Sequence, residues 1–228
     1  MSSRNSTSAR DILKEVNSLV GFLVENGFAD RYNPATILTS NGKDSVQHSK
    51  SGLISASFKS QSYRDLYTEQ LESESFNVLM LDGALIQMAY EFESRKLTKH
   101  RLAFLPSPDL LEYQNNADIY SQEILFAEVV ERTTVPVPIR FDFDNRPEVV
   151  KEVDHPACHL TIGQYKNCRI AATAALAPTA YINFILRNFY NTATRKISEK
   201  LPISDGKFAK SIHLSEQQMV HIGIPMIG

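Results

Sequence analysis

An α+β fold built on a largely antiparallel sheet follows from three features of the 228-residue chain. Two segments, one near each end, carry apolar residues at helical spacing. Between them, several short segments alternate apolar and polar residues with the period of two that marks half-buried strands. These strands come in runs joined by turn residues and do not alternate strictly with helices. That order favours a curved, mainly antiparallel sheet with helices packed on one face.

Residues 8–27 read as the first helix. Ile12, Leu13, Val16, Leu19, Val20 and Leu23 form its apolar stripe, Ser8 with Asp11 makes a capping-box start, and Gly27 is a stop. Residues 30–61 are polar, and Asn41-Gly42 predicts a hairpin pairing 35–39 with 44–48. Residues 62–74 predict a second helix with Tyr63, Leu66, Tyr67 and Leu71 on one side. Residues 76–105 form a β region: a run at 77–81, a turn at Asp82-Gly83, a strand at 85–93 and a third at 99–105, ended by Pro106-Ser107-Pro108.

Residues 109–132 read as mostly helical, with a strand as the alternative over 124–131. Residues 135–144 are extended, and Pro136 and Pro138 make their start an edge or lead-in. Strands follow at 158–162 and 168–173. Pro178 opens the last long helix, with Ile182, Ile185, Leu186 and Phe189 as its buried stripe. Residues 198–211 are a loop containing Asp205-Gly206, and Ser215 with Gln218 caps a short terminal helix. No repeat or linker divides the chain. The expectation is one α+β domain over 1–228, with a disordered tail at 1–7, a helical and hairpin region at 8–75 and a sheet-containing core at 76–228.

Composition narrows the function. With 22% charged residues and a formal net charge of −2, no global basic field draws the protein to DNA or to a membrane. The apolar runs are too short to span a bilayer, and the polar, Ser-rich start is not a signal peptide. Two cysteines, Cys158 and Cys168, make neither a disulfide framework nor a zinc spacing, so a reducing cytoplasm is expected. There is no phosphate-binding glycine loop, dinucleotide fingerprint or nucleophile elbow, so no cofactor is expected.

Alternation gathers chemistry onto one face of the sheet. In the 139–144 segment Ile139, Phe141 and Phe143 share one side, and Arg140, Asp142 and Asp144 the other. In 158–162, Cys158, Leu160 and Ile162 oppose His159 and Thr161, and in the next strand Cys168 and Ile170 oppose Arg169. Glu91 and Glu93 fall on the polar side of their strand. Both apolar sets of the last two strands must meet one core, so paired residue numbers must sum to an even value. A three-residue loop at 163–165 meets this condition and sets His159 opposite Arg169 and Leu160 opposite Cys168.

The face then carries Glu91, Glu93, Arg140, Asp142, Asp144, His159 and Arg169. Histidine passes protons near neutrality, and arginine grips phosphate or carboxylate. Metal-independent RNA cleavage needs an acid, a base and a cation for the phosphate. The competing account is a solvated sheet face whose ion pairs contribute roughly 0–1 kcal/mol each.

Further candidates for substrate contact are His100 and Arg101 in the basic cluster Lys99-His100-Arg101, Tyr165 at a turn, and His155 before Pro156. Each has a structural alternative: a strand end, a packed turn aromatic and an extended strand entry. Asp154, His155, Cys158 and His159 are all competent metal ligands, but Cys158 and His159 face opposite sides of one strand, so no metal site is expected. The same alternation points the Cys158 thiol into the core, against a nucleophilic role.

Three stretches resemble a bacterial family of unknown function. They are His155-Pro156-Ala157-Cys158-His159-Leu160-Thr161-Ile162-Gly163-Gln164-Tyr165, then Asn167-Cys168-Arg169-Ile170, then the run from Phe184 to Tyr190. Lys99-His100-Arg101-Leu102 with Pro106-Ser107-Pro108, and Arg140-Phe141-Asp142, fit the same pattern, so the likeness covers most of the chain beyond residue 60. It implies a protein of mobile and defence-related gene clusters, with no established activity. More distantly, the Arg-x-Asp segment followed by a His-rich strand is similar to small ribonuclease-like toxins.

The expected function is therefore an intracellular, toxin-like effector acting on RNA. His159 serves as acid or base, Arg169 and Arg140 hold the phosphate, and Asp142 or Asp144 orients the histidine. The alternative is a non-catalytic subunit that binds a nuclease or ATPase encoded nearby. Oligomeric state is not legible.

Overall fold

The computed structural model describes residues 7–49, 61–109, 137–165, 167–202 and 208–225. The expected helix or strand within 110–132, the start of the extended segment at 135, the Asp205-Gly206 turn and the first six residues lie outside them.

The first helix, α1 (Ala9–Glu25), begins as its sequence dictates. The Asp11 N–H donates to the Ser8 hydroxyl at 3.3 Å, and the Asp11 carboxylate accepts from the Ser8 N–H at 2.9 Å. Strands β1 (Ala29–Tyr32), β2 (Ala35–Ser40) and β3 (Lys43–His48) follow, with β2 and β3 joined in register by Asn41-Gly42 at φ 51° and 75°. Helix α2 (Tyr63–Glu72) is capped by Ser62. It leads to β4 (Val78–Met80), β5 (Leu85–Glu93) and β6 (Lys96–Leu105). The last of these starts three residues earlier than its sequence suggests. Ser94 and Arg95 both take left-handed φ, 50° and 65°, and close a hairpin that carries no glycine signal.

Strands β7 (Ile139–Asp144), β8 (Cys158–Ile162) and β9 (Ile170–Ala171) complete an antiparallel sheet in the order β1-β4-β5-β6-β7-β8-β9. β3 pairs with β5 beyond the end of β4. β9 is two residues long because Cys168 and Arg169 belong to the turn before it.

Helix α3 (Pro178–Phe189) has proline at its start, where the missing N–H costs nothing. A further helix, α4 (Asn191–Ile197), and a 3-10 turn occupy what reads in sequence partly as loop. The terminal helix α5 (Leu214–Gln217) is capped by His213 and Glu216, not by Ser215 and Gln218. The Ser215 hydroxyl instead donates to the Glu152 carboxylate.

Alternate residues of β5, β6, β7 and β8 point into the main core. Ile86, Met88, Tyr90, Phe92, Leu102, Phe104, Cys158 and Leu160 join Phe141 and Phe143 of β7 there. Ile12, Val16, Leu19 and Leu23 of α1 and Tyr181, Ile182, Ile185 and Leu186 of α3 cover them. Fully burying each such aliphatic side chain contributes about 1.5–3 kcal/mol. α2 departs from the expectation of helices on one face. Its Tyr67 packs with Phe76, Leu79, Leu85, Ala103 and Leu105 in a smaller cluster. Leu85, Ala103 and Leu105 alternate with the main-core residues, so this cluster covers the opposite sheet face near one end. The polar residues gather on the part of that face that the described residues of α2 leave open.

Candidate functional site

Strand register builds the site. Arg101 of β6 stands opposite Asp142 of β7, and Asp142 stands opposite His159 of β8. These three form a row across adjacent strands on the face away from the main core. Arg140 precedes Asp142 by two residues and shares its face.

The Asp142 carboxylate is the centre of this row. It accepts from Arg140 Nε at 2.5 Å and from Arg101 Nε at 3.2 Å, and its side chain is only 15% exposed. Burial alone raises a carboxyl pKa, but Arg140 and then Arg101 outweigh it and hold Asp142 below the usual carboxylate range. Burial lowers the pKa of Arg140, although Asp142 opposes that shift.

His159 is 3% exposed. Its Nδ1 lies 2.9 Å from the Pro156 carbonyl, a contact that assigns the proton to Nδ1 and the lone pair to Nε2. Nε2 stands 3.8 Å from Asp142 Oδ2. Burial pushes the imidazole pKa down to about 4, against the opposing pull of Asp142 and Pro156. The ring is therefore neutral at pH 7. His155 meets it edge to face at 5.0 Å between ring centres, and its own pKa is lowered, by burial and then by Arg169.

A concavity of about 390 Å³ opens on this row. Five cationic side chains line it, Lys99, Arg101, Arg140, Arg146 and Arg169, against two carboxylates, Asp142 and Asp144. His155, His159 and Tyr165 line it too. Tyr165 is 74% exposed and its ring lies over Gly163, where φ is +63° and an added Cβ would stand 3.3 Å from the ring.

The structure thus brings together His159, Arg169, Arg140, Asp142, Asp144, Arg101, Tyr165 and His155. It separates Glu91 and Glu93 from this set. Glu91 pairs with Lys99 at 3.1 Å and does not line the concavity, and Glu93 pairs with Lys43 at 3.8 Å. His100 is among the residues that line the concavity, but its ring packs on the main-core side. It lies between Arg101 and Lys99 in sequence, so its side chain takes the opposite, main-core face of β6. There it is 1% exposed, its Nε2 accepts from the Leu176 N–H at 3.1 Å, and its ring sits 5.5 Å from that of Tyr90.

Two expected pairings are also corrected. His159 faces Ala171, not Arg169, because the turn is two residues longer than a three-residue loop allows. The parity stands, since Leu160 faces Ile170. Asp144 does not orient the histidine. It binds Arg146 through Nη2 at 2.6 Å and Nε at 2.9 Å. The Pro156 carbonyl holds the ring instead. Arg146 follows the strand and carried no alternation signal. A backbone acceptor such as Pro156 carries no side-chain signal at all.

Among the described residues no group of three or more His, Cys, Asp or Glu is placed to hold a metal ion, and no helix is long and apolar enough to cross a membrane. Cys158 is buried in the main core, and burial pushes its thiol pKa well up. A family model, Uncharacterized conserved protein (DUF2290), matches residues 28–224. No curated protein and no solved structure matches the chain.

Proposed function

The chain belongs to this uncharacterized conserved family, and from the geometry of its site we propose that it is a toxin-like effector that cleaves RNA without a bound metal. The observation that carries the cleavage reading is the buried, neutral His159 beside a concavity lined by five cationic side chains. The effector context rests on the resemblance of the His155–Tyr165 block to proteins of bacterial defence and mobile loci.

Placement in the concavity supports the following roles. Arg169, Arg140 and Arg101 face the phosphate and offset its charge. His159 Nε2 takes the proton of the ribose 2′-hydroxyl. The 2′-oxygen attacks phosphorus, the bond from phosphorus to the 5′-oxygen breaks, and the departing oxygen takes a proton from water. Asp142, 3.8 Å away, stabilises the imidazolium as it forms.

The test is cleavage of a single-stranded RNA by the purified full chain in excess chelator. Expected products carry 2′,3′-cyclic phosphate ends. His159→Gln, with an unchanged melting temperature, is expected to lose roughly 10²–10⁴-fold in rate. No cleavage by the native chain, or equal cleavage by the variant, rejects the assignment.

A second reading is a binding subunit for a nuclease or ATPase encoded beside it. It draws on the exposed apolar side chains Leu214, Met219 and Val220 at and after α5. A stable complex with the neighbouring gene product, and no activity of the isolated chain, would favour it.

A further inference from the structure

The site is not one concavity but two that adjoin. The second, of about 540 Å³, is lined by Val149, Lys151, Val153, Asp154, His155, Asn167 and Arg169. It shares Val149, His155 and Arg169 with the first. Arg169 is anchored at this junction by donating from Nη1 to the Asp154 carbonyl at 3.0 Å, which leaves the rest of its guanidinium edge for a ligand.

Deepening the cleavage reading and resting on it, we propose that the two concavities are successive subsites of one groove for single-stranded RNA. One phosphate sits among Arg101, Arg140 and Arg169 beside His159. The next sits between Arg169 and Lys151. An unpaired base stacks on Tyr165.

Two observations and one general property of duplexes carry this. A lone phosphate or mononucleotide would need only the first concavity, yet the basic lining continues past Arg169 to Lys151, against the single carboxylate of Asp154. Tyr165 is 74% exposed and lines the first concavity, and any base offers a face to stack on its ring. In a duplex those base faces are covered, so the aromatic platform selects unpaired strands.

The test is fluorescence anisotropy with a labelled, cleavage-resistant 2′-O-methyl oligouridylate, its duplex with oligoadenylate, and inorganic phosphate as competitor. The expectation is that the single strand binds more tightly than the duplex. Tyr165→Ala should weaken the single strand by about tenfold, and Tyr165→Phe should restore it. Lys151→Ala should lower the slope of log affinity against log salt by about 0.7 without changing the competition by inorganic phosphate.

Native binding that neither Tyr165→Ala nor Lys151→Ala alters overturns the groove and leaves the cleavage assignment intact. Equal binding of duplex and single strand overturns the strand selectivity. Absence of both binding and cleavage overturns groove and cleavage assignment together.

Discussion

His159 Nε2 stands 3.8 Å from Asp142 Oδ2, yet at neutral pH the two are not an ion pair. The imidazole is neutral because burial pushes its pKa down to about 4, and the carboxylate is already held by two guanidinium groups. Asp142 thus lowers the positive potential of the concavity in the resting state and attracts the imidazolium only once His159 has taken a proton. Asp142→Asn is therefore expected to bind inorganic phosphate a few-fold more tightly while its RNA cleavage falls about tenfold. Calorimetric titration and single-turnover kinetics separate the two. Weaker phosphate binding by the variant would show that the carboxylate acts only by organising Arg101 and Arg140.

On the proposed cleavage reading, His159 with a pKa of about 4 in the free protein places the acid limb of kcat/KM near that value. On the same reading, bound RNA would add phosphate charge close to His159 and offset the nearby arginines. Both effects favour the protonated ring, so the pKa rises in the complex. The acid limb of kcat is expected at higher pH than that of kcat/KM. Rate profiles between pH 3.5 and 8 decide this. Coincident limbs would mean that phosphate does not approach the histidine.

The faces were legible in the sequence and the neighbours were not. Ile139, Phe141 and Phe143 against Arg140, Asp142 and Asp144 fix which side of β7 meets the core, because burial acts on every second residue. The same alternation sets the side of His159. Register depends on turn geometry, and the turn before β9 uses left-handed φ at Gly163 (63°) and Asn167 (66°), which lengthens it and moves Arg169 off the strand. The ring of His100 packs against Tyr90 and Phe143 on the core side. Reading Lys99-His100-Arg101 as one charged cluster overrode the alternation that puts its middle residue into the core. The second concavity was not legible, since Lys151 and Asn167 come from loops with no periodic pattern.

Three buried histidines make the fold sensitive to acid. Burial pushes the pKa of His48, His100 and His159 each down to about 4, below the unfolded value near 6.5. The unfolded chain then binds more protons than the native one between those values. Stability is full above about pH 6.5 and falls as pH drops toward 4, by up to about 3 kcal/mol for each residue. Urea midpoints are expected to fall between pH 7.5 and 5. Neither ring nitrogen of His48 has a hydrogen-bond partner among the described residues. His48→Phe is therefore expected to remove about a third of the fall without lowering stability at pH 7.5. An unchanged pH dependence in this variant would place the sensitivity elsewhere.

Glu216 connects the last helix to the edge of the site. It is 1% exposed, and its carboxylate accepts from the His213 N–H at 2.9 Å and from the Val153 N–H at 3.2 Å. Val153 takes a left-handed φ of 68°, a conformation that costs a β-branched residue free energy unless its surroundings hold it. Two residues later comes His155, which shares both concavities. Glu216→Ala removes the acceptor and frees the 151–155 turn to relax, so amide exchange at Val153 and Asp154 is expected to quicken while β6 and β7 stay protected. RNA affinity should fall with little change in melting temperature, and Glu216→Gln, which keeps one of the two acceptor oxygens, should recover it in part. Uniformly faster exchange across the sheet would instead make Glu216 a residue of global stability, with no specific hold on the turn.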